Sequence, residues 1–183
     1  MENAALFICL DPLAHHAFVP YIKPMKKHLS HSLEETATIA VEWLGHITGK
    51  KAEMGSATII GLSGNLGAGK TAFVKCVAKL LGISEDVTSP TFVLMKLYDI
   101  TAKKTSGESY PWKKLVHIDA YRLERTQELE VLKFAELVAD PNNLILIEWP
   151  ENVKVAVMNL KGYEQINFSL GKKDTEREII EVQ

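Results

Sequence analysis

The chain has 183 residues, 46% of them hydrophobic, enough to bury one sizeable core but hardly two. Lysine and arginine total 21 against 23 aspartate and glutamate, and the arginines are only Arg122, Arg125 and Arg177, so no basic face suited to a nucleic-acid backbone stands out. Two cysteines, Cys9 and Cys76, exclude a disulfide framework and fit a reduced, cytoplasmic protein.

Residues 1–28 carry three prolines and no sustained period, and read as a poorly ordered extension ahead of a domain at 29–183. Met25-Lys26-Lys27 offers an alternative translation start, a hypothesis that finding Met1 on the native protein would reject. The apolar run at 4–10 is too short to span a bilayer and follows Glu2, where a signal peptide carries positive charge, so no membrane segment is expected. His15, His16, His28 and His31 lack the convergent spacing of a metal site.

Ser32 and Glu35 make an S-x-x-E capping box, and Ile39, Ala40, Trp43, Leu44 and Ile47 recur at helical spacing, which predicts a helix over 33–47 and a polar loop over 49–55. Residues 58–62 are β-branched and apolar, a short buried strand. Gly64-Asn65-Leu66-Gly67-Ala68-Gly69-Lys70-Thr71 follows at once, a full match to G-x-x-x-x-G-K-[ST]. Phe73, Val74, Val77, Leu80 and Leu81 then fall on one helix face before the stop at Gly82. Strand, glycine loop and helix are the context that this motif requires. Its backbone N–H groups and the helix dipole would meet phosphate oxygens, with Lys70 reaching the β- and γ-phosphates and the Thr71 hydroxyl on Mg²⁺.

Further on, Ser89-Pro90-Thr91-Phe92 opens a strand predicted over 92–100, and residues 101–114 form a surface loop. The run at 115–119 is a second strand, ending in Asp119 and able to pair with the first as a hairpin. Leu129, Leu132 and Leu137 put one or two helices in 126–138. The strongest strand, 144–147, is apolar on both faces, hence central, and ends in Glu148-Trp149-Pro150. Alternation at 166–170 and 178–182 around a polar turn predicts a closing antiparallel hairpin. The whole is an α/β P-loop NTPase fold, a three-layer sandwich with a mainly parallel central sheet plus antiparallel strands.

Strands beside a phosphate loop conventionally end in the acids that hold Mg²⁺ and position water. Asp119 and Glu148 are the two candidates, against the alternative of plain solvated strand-end acids. Thr91 lies on a Pro-stiffened turn where other P-loop proteins sense the γ-phosphate, or is a plain turn residue. Trp149 either packs near the nucleotide or fills the core.

The glycine loop, Ser89-Pro90-Thr91-Phe92, His117-Ile118-Asp119-Ala120-Tyr121-Arg122-Leu123 and Glu148-Trp149-Pro150, in this order and spacing, resemble the TsaE (YjeE) family, small bacterial P-loop ATPases of tRNA threonylcarbamoyladenosine biosynthesis. The resemblance covers residue 32 to the C-terminus. It implies an ATPase that joins the TsaD–TsaB complex and sustains its turnover while TsaD transfers the threonylcarbamoyl group to adenosine 37 of tRNAs reading ANN codons. By the same resemblance, Gly67, Ala68, Gly69, Lys70, Thr71 and Ala72 cradle the phosphates of ATP. Glu148 completes the Mg²⁺ shell with Thr71, Asp119 serves hydrolysis with Lys70, and Thr36 lies near the adenine. Asn65 departs from the more usual Asp, and residues 1–28 have no family counterpart.

So few arginines imply slow hydrolysis by the chain alone, because an arginine finger is worth ~10³–10⁵ in rate. tRNA would be met only through the complex, with no membrane involved. Two rivals are a P-loop small-molecule kinase, disfavoured because 101–114 lacks the arginines of a phosphoryl-enclosing lid, and a nucleotide-sensing module without useful hydrolysis, disfavoured by the two acids.

Overall fold

The computed structural model describes residues 26–50, 55–90, 93–123, 125, 127–173 and 175–182. Thr91 and most of the N-terminal extension lie outside them. The strands are β1 (Lys26–Ser30), β2 (Thr58–Gly64), β3 (Met95–Asp99), β4 (Lys114–Asp119), β5 (Asn143–Glu148), β6 (Tyr163–Leu170) and β7 (Arg177–Val182). The helices are α1 (Leu33–Lys50), α2 (Lys70–Leu80), α3 (Glu128–Val131), α4 (Phe134–Ala139) and α5 (Lys154–Val157), the last preceded by a 3-10 turn at Pro150–Val153.

All seven strands form one sheet in the order β1-β7-β6-β2-β5-β4-β3. β2 is parallel to both β5 and β6, and β4 is parallel to β5. The β3–β4, β6–β7 and β1–β7 pairs are antiparallel. The expected hairpins at both ends of the chain's second half are therefore present. β5, fully buried along its length, sits between β2 and β4 as its two-sided apolar sequence requires.

Each face of the sheet carries its own apolar layer. One packs Leu62, Leu144, Leu146 and Leu115 against α1 and α2, with Phe73 edge-on to Trp43 at 5.2 Å and to Phe168 at 5.5 Å between ring centroids. The other packs Ile59, Val116, Ile145 and Ile147 against α3, α4 and α5. Alternation along each strand sends successive side chains to opposite layers.

The structure departs from the sequence expectations at three places. Residues 26–28, assigned to the extension, belong to β1, which pairs along its whole length with β7. α1 runs on through Gly49 to Lys50. The loop at 101–114 is anchored in the core: Trp112 is buried and its indole N–H donates to Thr58 Oγ1 at 2.9 Å. The stretch before β5 holds two helices, within the one or two expected, separated where Lys133 takes a left-handed conformation, φ 53°, between α3 and α4. At the start of α1 the capping box is also modified. Ser32 Oγ accepts the Glu35 N–H at 3.2 Å, but the Glu35 carboxylate reaches the N–H of His31, 2.7 Å away.

Candidate functional site

The site forms where β2, β5 and β4 end side by side. β2 turns into the glycine loop at Gly64, whose φ of 142° suits glycine, and a Cβ there would overlap the carbonyl oxygen of Phe168 on β6. Gly67 and Gly69 also take positive φ, 76° and 107°, and Gly69 caps α2 without any side-chain hydrogen bond. The first-turn N–H groups of α2, which have no acceptor within the helix, thus open onto the loop.

Lys70, the first residue of α2, is only 4% exposed and folds back across the loop. Its ammonium donates to the carbonyls of Gly64 at 2.6 Å and Asn65 at 3.0 Å and lies 3.9 Å from the centre of the Trp149 ring. Burial holds its pKa below the ordinary lysine value, opposed by the nearby carboxylates of Glu148, Glu151 and Asp119. Trp149 is kept in place by a left-handed backbone, φ 59°, and by the Tyr121 ring 5.0 Å away.

Thr71 faces β5. Its hydroxyl donates to both oxygens of Glu148, at 2.8 and 2.9 Å. Glu148 Oε1 also meets His117 Nε2 at 2.9 Å, in a pair with 0% and 4% side-chain exposure. On the neighbouring strand, Asp119 stands level with Glu148 in the β4–β5 register. Asp119 Oδ2 accepts the Ser89 hydroxyl at 2.5 Å and Oδ1 accepts the Tyr121 N–H at 3.0 Å, so the carboxylate is oriented from two sides. Lys70, Thr71, Asp119, Glu148 and Trp149 all line one cavity of about 410 Å³.

Thr36 lies elsewhere. It borders a second cavity, of about 420 Å³, on the far side of the loop, and Gly67, Gly69 and Ala72 line both. Ala68 lines only the second. There Thr36 is buried, donating to Ser32 O at 3.0 Å and sharing a hydrogen bond of 2.8 Å with Ser30 Oγ. Arg177 of β7 borders the same cavity. The expected site residues that are described are thus divided between two cavities joined by the loop.

Four contributors went unassigned in the sequence: Ser89, His117 and Tyr121 around the acids, and Arg177 at the second cavity. Ser89, His117 and Tyr121 lie within the motif segments that carry the resemblance but were given no role there, and Arg177 left no signal. The oxygen pair of Thr71 and Glu148 suits Mg²⁺, which takes one or two protein oxygens and keeps several waters. Among the described residues no three His, Cys, Asp or Glu side chains converge as a metal-ligand set, which disfavours a closed zinc-type site. Among those residues, too, no helix is long and apolar enough to cross a membrane.

Comparison with known proteins gives a consistent result. The family model described as "Threonylcarbamoyl adenosine biosynthesis protein TsaE" matches residues 30–179. The tRNA threonylcarbamoyladenosine biosynthesis protein TsaE of Treponema pallidum is 37% identical over 68% of this chain and 78% of its own length. The protein of the same name from Borreliella burgdorferi is 39% identical over 49% of this chain and 58% of its own length. Among solved structures, YdiB of Bacillus subtilis superposes with a TM-score of 0.59 and 27% identity, covering 87% of both chains.

Proposed function

We propose, from the premise that the chain belongs to the TsaE family of threonylcarbamoyl adenosine biosynthesis proteins, that it is a Mg²⁺-dependent ATPase coupling ATP hydrolysis to threonylcarbamoylation of adenosine 37 in tRNAs reading ANN codons. It acts in the cytoplasm on the TsaD–TsaB complex and meets tRNA only through it. The observation that carries the reading is the Thr71–Glu148 pair beside the Lys70 ammonium and level with Asp119.

In this reading the loop amides and Lys70 bind the β- and γ-phosphates of ATP, and the nucleoside end passes over the loop into the cavity bordered by Thr36. Thr71 and Glu148 hold the Mg²⁺. The ion supplies electrophilic charge that offsets the negative charge spread over the transferring phosphoryl oxygens. Asp119, an acceptor already fixed by Ser89 and the Tyr121 amide, orients a water in line with the γ-phosphorus and takes its proton. Water oxygen bonds to phosphorus as the bond to ADP breaks, and the proton passes on to solvent. Trp149 shields Lys70 from water on one side, which strengthens its pairing with phosphate.

The test is ATP binding and hydrolysis with and without Mg²⁺. Asp119→Asn is expected to keep Mg²⁺–ATP affinity and lose about 10²–10⁴ in kcat. Thr71→Ala and Glu148→Gln are expected to lose the Mg²⁺ dependence of binding. Hydrolysis indifferent to all three changes would refute the assignment.

A further inference from the structure

We propose that His117 is a positioning residue that sets the Glu148 carboxylate for divalent-cation binding, an inference that rests on Glu148 being a metal ligand. Along β4, Leu115, His117 and Asp119 point to the α2 side of the sheet, while Val116 and Ile118 join the opposite apolar layer. The β4–β5 register sets His117 opposite Leu146 and Asp119 opposite Glu148, so the imidazole lies one step deeper than the two acids. It is fully buried there.

A carboxylate only accepts hydrogen bonds, so the 2.9 Å contact to Glu148 Oε1 places the imidazole proton on Nε2. Nδ1, an acceptor in the neutral ring, is buried with no hydrogen-bond partner among the described residues. Packing alone would be better served by an apolar side chain, such as Leu115 two positions earlier, because a buried polar atom left unmet is costly. What the histidine adds is orientation. Glu148 is gripped from two elements, by Thr71 of α2 at both oxygens and by His117 of β4 at Oε1. The donor that β4 supplies to a metal-ligating acid is the kind of outer partner whose loss weakens metal binding.

The experiment measures Mn²⁺ affinity by the paramagnetic signal of the free ion, in the presence of a non-hydrolysable ATP analogue. His117→Leu is expected to weaken Mn²⁺ binding about 10–100-fold while metal-free affinity for the analogue is unchanged. His117→Gln, whose amide N–H takes the place of Nε2–H, is expected to recover most of that loss. Wild-type Mn²⁺ affinity in His117→Leu, an equal loss of metal-free analogue binding, or no recovery in His117→Gln would each overturn the proposal. Should His117→Leu not fold, the ¹⁵N spectrum of the wild-type imidazole decides: Nε2–H supports the proposal and Nδ1–H overturns it. Thr71→Ala and Glu148→Gln separate the two levels. If they keep Mn²⁺ affinity, the metal-ligand reading falls and the positioning role with it; if they lose it while His117→Leu does not, only the positioning role falls.

Discussion

Lys70 shows how one residue carries opposite demands. Its ammonium is buried against Trp149 and two loop carbonyls, and burial outweighs the attraction of Glu148, Glu151 and Asp119, so its pKa is lowered. For a base, a folded pKa below the unfolded one means that folding disfavours the charged form. This cost is complete below the folded pKa and disappears as pH rises toward the unfolded value of 10.5. Lys70→Met, similar in length and uncharged, is therefore expected to raise the melting temperature of the nucleotide-free protein at pH 7, with the gain shrinking as the pH approaches the lysine range. Added ATP should reverse the ranking, because a ligand that binds only the folded wild type stabilises it by mass action. Thermal melts across pH, with and without ATP, check both halves.

At the same scale, Lys70, Thr71, Asp119 and Glu148 were legible because a local pattern or a strand end marks each. His117 and Ser89 were not assigned, because their roles depend on partners 31 and 30 residues away in sequence. Such contacts follow from strand register, which no local pattern states.

Among the elements, α2 ties the site to the core. Its first turn holds Lys70 and Thr71, and Phe73, two residues on, is fully buried between Trp43 of α1 and Phe168 of β6. Phe73→Ala is expected to cost about 3–5 kcal/mol of stability, since the cavity would open between three elements that cannot all collapse onto it. Denaturant unfolding measures this directly. The same change should weaken nucleotide binding by loosening the start of α2, although Phe73 does not line the cavity that Lys70 and Thr71 border.

The strands show where sequence patterns work and fail. β2 and β5 were legible from their continuous apolar runs, and the β6–β7 hairpin from its alternation. β1 was missed because Lys26, Lys27 and His28 are polar; an edge strand needs little apolar content when a partner 150 residues later supplies the pairing. The polar residues around Trp112 give the pattern of a surface loop and mask its burial in the core and its bond to Thr58.

At the scale of the molecule, the parallel strands β2, β5 and β4 bring the loop, Glu148 and Asp119 to one end of the sheet, with a cavity on each side of the loop. Arg177 borders the second cavity, and among the described residues no arginine lines the first, where phosphoryl transfer is proposed to occur. A site of this composition should turn over slowly by itself and faster when a partner supplies or orders the missing charge stabilisation.

The most direct test follows ATP consumption and adenosine 37 modification together in one reconstitution of TsaD–TsaB with tRNA, with this protein absent, intact, or replaced by Lys70→Ala or Asp119→Asn. Repeated rounds of modification that require the intact protein, with both variants failing, are expected. Modification that proceeds equally without the protein, while the protein still consumes ATP, would contradict the coupling role.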